Sequence, residues 1–242
     1  MIQHLLYIKR LNKHFGGNVA VADVSFSVEE KQIFGLIGPN GAGKTTLFNC
    51  ITGFYPVTSG DIIFDNQRLN KRRPDEICHL GMARTWQRVK PLGSLTVLEN
   101  VMIGAFSITS AVGEAEKMAI EQLNIVGLSD YATKPAGSLP IGLKKKLELA
   151  RVLATHPKML LLDEICGGLN HTETDTILDI IRSVRNKGTT IVFIEHDMKA
   201  VTSICDRIVV LNSGEKLAEG TPEEITNNPD VIAAYLGGGH HA

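Results

Sequence analysis

The sequence has few cysteines, and none of them forms a metal-binding or redox motif. The four cysteines lie far apart, without a C-x-x-C pair, at Cys50, Cys78, Cys166 and Cys205. This spacing excludes a zinc ribbon and a disulfide-stapled scaffold, and it favours a reducing compartment.

Long apolar runs are absent as well. No stretch approaches the ~20 apolar residues that a helix needs to cross a bilayer, and the first residues lack the charged start and apolar core of a signal peptide. If the protein works at a membrane, we therefore expect another chain to hold it there.

The chain also lacks an excess of charge of either sign. Its 25 Lys and Arg residues against 26 Asp and Glu residues give a net charge of −1, which removes whole-surface attraction to nucleic acid or anionic lipid. Of its 242 residues, 43% are hydrophobic and 21% are charged. This composition excludes disordered and collagen-like chains, and the length allows one large domain or two small lobes.

What the sequence does contain is an alternation of short apolar runs with helical patterns. Residues 33–37, 159–162 and 191–194 are apolar runs typical of buried parallel strands, so we predict a parallel α/β core. Alternation with period two in residues 19–28 predicts an antiparallel layer before that core. Residues 91–138 follow helical spacing without a parallel-type strand and predict a small helical lobe.

A single domain accommodates these elements. We predict that residues 1–90 and 157–236 form the α/β core and that residues 91–156 form the helical subdomain. Residues 237–242, which are rich in glycine, are expected to form a frayed tail.

Residues 38–45 spell G-x-x-x-x-G-K-T between a buried strand and a segment that can be helical. That context is typical of a phosphate-binding loop, in which backbone N–H groups and a helix N-terminus converge on the phosphates. In such a loop Lys44 reaches the β and γ phosphates, and Thr45 offers its hydroxyl to Mg²⁺. The residues expected to bind the nucleotide are Gly38, Asn40, Gly41, Ala42, Gly43, Lys44, Thr45 and Thr46.

Polar residues follow the other two apolar runs. Asp163 and Glu164 end the second run, where Asp163 would hold Mg²⁺ and Glu164 would polarise the attacking water. His196 follows the third run, and its imidazole could donate to the γ-phosphate. A solvated acidic strand end and a structural histidine are the alternatives.

Five features follow one another in a fixed order along the chain: the phosphate loop, Gln87, a helix-opening segment at residues 139–143, Asp163-Glu164 and His196. This set resembles the ATP-binding-cassette (ABC) ATPases over essentially the whole chain. The resemblance implies a P-loop NTPase-type core with an N-terminal antiparallel β layer and a small helical subdomain. Within the family, the sequence is most similar to the ATP-binding subunits of branched-chain amino acid importers, at residues 83–87, 95–101, 168–170, 194–198, 228–230 and 234–237.

The resemblance also implies roles and partners. Phe15 takes the place of the aromatic residue that stacks on adenine, and Gln87 that of the glutamine that touches Mg²⁺ and the water. Core packing of Phe15 and a surface position for Gln87 are the alternatives. The implied cofactors are ATP and Mg²⁺. The implied partners are a second cassette, two membrane permeases and, indirectly, a periplasmic-type solute-binding protein, and nucleic acid is not among them. The implied location of this chain is the cytoplasmic side of the inner membrane.

The helix-opening motif departs from the family pattern. It usually reads L-S-G-G-Q, but Pro140, Ile141 and Leu143 replace three of its residues and leave Gly142. In the family this motif reaches the partner subunit's γ-phosphate, so we expect a non-identical cassette partner with a complete motif. Asn170 stands where an aspartate is common.

Residues 144–146 are three lysines in the first turn of the same helix. Their positive charge opposes the helix dipole. We expect a solvated basic face here, with a nearby anion as the alternative.

Two other functions remain open at this stage. One is a non-transport cassette ATPase that acts on nucleic acid or ribosomes, although such chains usually carry coiled-coil insertions or two cassettes, and the phosphate loop occurs once here. The other is a regulatory cassette with low turnover, which Pro140 and Ile141 motivate.

Overall fold

The computed structural model describes residues 4–86 and 90–236, so the predicted frayed tail lies outside the described residues. The strands are β1 (His4–Phe15), β2 (Asn18–Glu29), β3 (Ile33–Ile37), β4 (Ser59–Phe64), β5 (Gln67–Arg68), β6 (Met82–Arg84), β7 (Met159–Asp163), β8 (Thr190–Ile194), β9 (Arg207–Asn212) and β10 (Glu215–Gly220). The α-helices are α1 (Lys44–Ile51), α2 (Pro74–His79), α3 (Val97–Ala105), α4 (Val112–Val126), α5 (Ile141–Leu153), α6 (His171–Asn186), α7 (Met198–Ile204), α8 (Pro222–Thr226) and α9 (Pro229–Leu236).

The chain divides into two units, one made of Met1–Ile77 with Thr190–Ala242 and one made of Cys78–Thr189. This division does not test the predicted boundaries of the core and the helical subdomain, which stay a prediction. Among the described residues, no helix combines the length and the apolar character needed to span a membrane.

The first unit contains an antiparallel sheet in the order β2-β1-β4-β5. Leu6 pairs with Val28 and Ile8 with Phe26, and all four side chains are buried. Residues that alternate with them along β1 and β2 are more exposed, as a sheet with one buried face requires. The predicted antiparallel layer is therefore confirmed.

The first unit also contains the strand sequence β10-β9-β3-β8. Strand β3 runs parallel to both of its neighbours, and β9 and β10 form an antiparallel pair. All five residues of β3 are buried, which matches its continuous apolar sequence, since parallel strands are covered on both faces. Leu36 pairs with Ile194, so the carboxyl ends of β3 and β8 reach the same edge of the sheet.

The second unit combines helices with a parallel strand pair. Strands β6 and β7 run parallel, with Arg84 opposite Leu161. Helices α3, α4 and α5 pack on one another, and all three lie within residues 91–156, for which the sequence predicts a helical subdomain. Helix α3 begins with a capping box between Thr96 and Glu99, which satisfies backbone N–H groups of its first turn.

Candidate functional site

The phosphate loop, residues 38–43, joins strand β3 to helix α1 in the first unit. Gly38 has a φ of 150° and Gly43 a φ of 96°, values that suit glycine and strain other residues. A Cβ on Gly38 would lie 2.1 Å from the carbonyl oxygen of Leu211, and one on Gly43 would lie 2.5 Å from that of Ala20. Close backbone packing therefore demands glycine at both ends of the loop.

Lys44 begins helix α1 and directs its ammonium back into the loop. The residue is only 6% exposed, and Nζ donates to the carbonyl oxygens of Gly38 at 2.7 Å and Pro39 at 3.0 Å. The loop thus holds a positive charge among its own backbone groups, which is the chemistry of a phosphate site. The other predicted loop residues differ in exposure: Asn40, Gly41 and Thr45 are exposed, Gly43 and Thr46 are partly exposed, and Ala42 is buried.

Phe15 ends strand β1 and is 43% exposed, so core packing was the wrong alternative. Its ring meets Tyr55 edge to face, with the ring centroids 5.2 Å apart. The ammonium of Lys13 lies 4.5 Å from the Phe15 ring centroid and donates to the carbonyl oxygen of Pro56 at 2.9 Å. These neighbours hold an exposed aromatic ring in place, and no pattern in the sequence predicts either contact.

His196 follows strand β8 and is exposed. Since the carboxyl ends of β3 and β8 share an edge, His196 and the phosphate loop leave the sheet on the same side. Asp197 caps helix α7 by accepting a hydrogen bond from the backbone N–H of Lys199 at 2.8 Å. This cap fixes the backbone beside the histidine.

Tyr235, in helix α9, is a contact of the loop that the sequence did not predict. Its hydroxyl lies near the backbone of Gly38. Burial raises the pKa of Tyr235, and the backbone of Gly38 partly opposes that rise. The two residues are far apart in the chain, so no local pattern could have revealed the contact.

Asp163 ends strand β7 in the second unit and is 2% exposed, so a solvated strand end was the wrong alternative for this residue. Its Oδ2 accepts a hydrogen bond from Nη2 of Arg84 at 2.6 Å, and its backbone N–H donates to Oγ1 of Thr85 at 3.2 Å. The Arg84 guanidinium also lies over the ring of Trp86, 4.5 Å from its centroid. A buried carboxylate is thus held by a cation from the neighbouring strand.

Glu164 has a φ of 51°, a left-handed conformation that is uncommon for residues other than glycine. Its carbonyl oxygen accepts hydrogen bonds from the backbone N–H of Gly167 at 3.1 Å and from Nζ of Lys145 at 3.1 Å. Residues held in such conformations cluster at functional sites, where the surroundings fix them.

The expectation of a solvated basic face at residues 144–146 is wrong for Lys145, which is only 4% exposed. Lys144 and Lys146 are partly exposed. The reason is helical spacing, because Lys145 shares the buried face of α5 with Gly142 and Leu149. That spacing was the signal in the sequence that could have revealed it.

The helix-opening segment at residues 139–143, from here on called the signature segment, begins helix α5 without a capping side chain. Pro140 is the N-cap residue and makes no side-chain hydrogen bond, and Ile141 is 51% exposed. A Cβ on Gly142 would lie 2.5 Å from Oε1 of Glu173. Asn170 and Glu173 form the capping box of helix α6, a role that an aspartate at position 170 would fill as well.

Gln87 lies outside the described residues, and its role stays a prediction. Trp86, directly before it, is 44% exposed, and its backbone N–H donates to Oε1 of Glu148 at 2.7 Å. Phe15, the phosphate loop and His196 belong to the first unit, whereas Asp163 and Glu164 belong to the second.

A glycine-rich loop between a buried parallel strand and a helix defines a nucleotide-binding α/β protein of the P-loop type. The family model described as ABC transporter matches residues 21–167, and the model described as branched-chain amino acid ATP-binding cassette transporter matches residues 215–241.

Known proteins resemble the chain over its whole length. It is 45% identical to the high-affinity branched-chain amino acid transport ATP-binding protein LivG of Salmonella typhimurium, with 98% of this chain and 99% of that protein covered. It is 43% identical, over the same shares of both chains, to BraF of Pseudomonas aeruginosa, which has the same description. A crystal structure of the ADP conformation of an ATP-binding cassette of an ABC transporter matches with a TM-score of 0.89 and 32% identity, covering 97% of this chain and 99% of that one.

The chain therefore belongs to the ABC transporter family, as an ATP-binding subunit that hydrolyses ATP. The family resemblance and the fold class predicted from the motifs are confirmed, and transport is favoured over the non-transport and regulatory alternatives.

Proposed function

We propose that this subunit energises the import of branched-chain amino acids. The similarity to LivG along the whole chain carries this proposal, and the specific match at residues 215–241 supports it. The solute passes through two membrane permeases, to which a periplasmic-type binding protein delivers it. This subunit binds the two permeases at the cytoplasmic side of the inner membrane.

In the proposed reaction, catalysis rests on positioning and charge stabilisation. Lys44 and the N–H groups of the loop bind the β and γ phosphates, and Phe15 stacks on the adenine. Glu164 polarises the attacking water, while His196 donates to the γ-phosphate. The buried ammonium of Lys44 and the exposed Phe15 ring support these roles.

Thr45, Asp163 and Gln87 are the proposed residues for Mg²⁺. Their hydroxyl, carboxylate and amide oxygens are ligands that suit this ion, which is usually held by one or two carboxylates together with substrate phosphates and water. Within residues 4–86 and 90–236, no cluster of three or more His, Cys, Asp or Glu side chains could hold a metal ion. When bound, the ion neutralises negative charge on the phosphates.

A non-identical cassette is the proposed partner. The segment that would face the partner's nucleotide has no hydroxyl, since Pro140 and the exposed Ile141 stand there, although backbone N–H groups of α5 remain as donors. We expect the variant Pro140→Ser with Ile141→Gly to raise the ATPase activity of the isolated chain. A tight homodimer under Mg-ATP, with turnover unaffected by a second cassette or by this variant, would contradict the proposal.

Transport can be tested by reconstituting the chain in proteoliposomes with two permeases and a solute-binding protein from the same organism. We expect ATP-dependent uptake of radiolabelled leucine through the binding protein, and no uptake with Lys44→Ala. ATP-dependent uptake of a different solute alone would overturn the proposed substrate class while leaving the ATPase assignment intact.

A further inference from the structure

Helix α5 buries two charged side chains, Lys145 and Glu148, which are 4% and 2% exposed. Three residues apart, they lie on neighbouring positions of one helix face. Burying charged groups costs free energy unless hydrogen bonds or opposite charges compensate. The contacts of these two residues therefore show what they hold in place.

Lys145 holds the backbone of Glu164. Its Nζ donates to the Glu164 carbonyl oxygen at 3.1 Å, beside the second donor, the N–H of Gly167. Glu164 has the uncommon φ of 51°, so its backbone depends on surrounding contacts more than an ordinary strand end does. Lys145 supplies such a contact with a charged side chain from a different element, helix α5.

Glu148 holds the segment that leads to Gln87. Its Oε1 accepts the Trp86 N–H at 2.7 Å, whereas its Oε2 is buried without a hydrogen-bond partner among the described residues. Burial raises the pKa of Glu148, and the Trp86 hydrogen bond and the charges of Arg151 and Lys145 oppose that rise. The hydrogen bond that Oε1 of this buried carboxylate accepts from the Trp86 N–H is well formed. That bond fixes the backbone of Trp86.

We propose that Lys145 and Glu148 are positioning residues of the ATPase site, so that one turn of helix α5 sets both the backbone of Glu164 and the backbone of Trp86, the residue directly before Gln87. The proposal rests on the proposed function, in which Glu164 polarises the water and Gln87 contacts Mg²⁺. Neither positioning residue touches the nucleotide in this account. The same helix begins at the signature segment, so a shift of α5 would displace the backbones of Glu164 and Trp86 together.

Lys145→Met tests the first contact in the full-length chain, with Mg-ATP affinity and single-turnover hydrolysis as readouts. Misplacement of a catalytic group by about 1 Å can cost 10²-fold in rate, so we expect hydrolysis to fall by about 10- to 100-fold and affinity to stay within about threefold. Lys144→Met and Lys146→Met remove the same charge from partly exposed positions and should hydrolyse at rates within about twofold of wild type. Lys145→Arg retains a donor and should recover most of the rate.

A double variant separates this proposal from the proposed function. If Lys145 acts through Glu164, Lys145→Met should cause little further loss in a Glu164→Gln background. An undiminished further loss there, or wild-type hydrolysis by folded Lys145→Met, would overturn the positioning role. Full turnover of Glu164→Gln alone would instead overturn the catalytic role of Glu164.

The Glu148 contact is tested through Trp86, the only tryptophan of the chain. Glu148→Gln keeps the length and an acceptor oxygen, so it should retain the emission spectrum and most of the hydrolysis rate. Glu148→Asp keeps the charge but shortens the side chain, so it should shift Trp86 emission and slow hydrolysis by about 10-fold with little change in Mg-ATP affinity. The reverse order, with Asp active and Gln impaired, or an unchanged spectrum and rate in both variants, would overturn the positioning role of Glu148.

Discussion

The phosphate loop is built from backbone groups, whereas the end of strand β7 is built from buried charged side chains. The loop packs so closely at Gly38 and Gly43 that a Cβ would meet carbonyl oxygens, and its one charged side chain, Lys44, is held by the loop's own carbonyls. At the end of β7, by contrast, Asp163 depends on Arg84, which comes from another strand. The first arrangement is sensitive to added bulk, and the second is sensitive to the loss of a partner charge.

The largest expected effect on stability is that of Arg84→Met, because this change removes a buried cation that contacts the buried Asp163 carboxylate at 2.6 Å. We expect the free energy of unfolding to fall by about 3–5 kcal/mol, measured by urea unfolding followed by circular dichroism. In the control Arg182→Met, the lost ion pair with Asp179 is exposed, and the expected loss is below about 1 kcal/mol. Equal losses in the two variants would remove the distinction between buried and surface charge.

Lys44→Ala should leave the fold intact and weaken Mg-ATP binding by about 100-fold, corresponding to about 2.7 kcal/mol for a charge-assisted contact. Isothermal titration calorimetry measures this directly. Lys71→Ala removes the same charge from an exposed position of the first unit and should bind like wild type. Retained affinity in Lys44→Ala would contradict the placement of the phosphates in the loop.

Gly142→Ala tests whether the second unit also contains a site that is sensitive to added bulk. The new Cβ would collide with the Glu173 carboxylate, which is held in the capping box of α6, so we expect a loss of about 1–2 kcal/mol in unfolding free energy. Gly113→Ala is the matched control, because nothing lies within 4 Å of its added Cβ, and it should be neutral or stabilising by up to about 1 kcal/mol. A neutral Gly142→Ala would mean that Glu173 moves freely.

Phe15→Ala should have the smallest effect, a five- to tenfold loss of ATP affinity that corresponds to about 1 kcal/mol of stacking on a base. Binding of pyrophosphate, which has no base, should be unchanged, and Phe15→Tyr should bind ATP normally. If pyrophosphate binding fell as well, Phe15 would act on the fold of the loop instead of on the adenine.

The two regions also differ in how far the sequence predicts them. The phosphate loop could be predicted because its chemistry requires glycine and lysine at fixed spacing between a strand and a helix. The contact of Arg84 with Asp163 could not be predicted, because it depends on the pairing of two strands that are distant in the chain. The run of three lysines predicts a solvated face, whereas the helical spacing of Lys145 from Gly142 and Leu149 places it on the buried face of α5.

The separation of nucleotide binding from water activation is tested most directly by Glu164→Gln, with Mg-ATP affinity and single-turnover hydrolysis measured on the same preparation. The proposed function predicts affinity within about threefold of wild type and hydrolysis at least ~100-fold slower, the scale of a lost general base. Hydrolysis at the wild-type rate would contradict it, as would a loss of binding large enough to account for the whole decrease in rate.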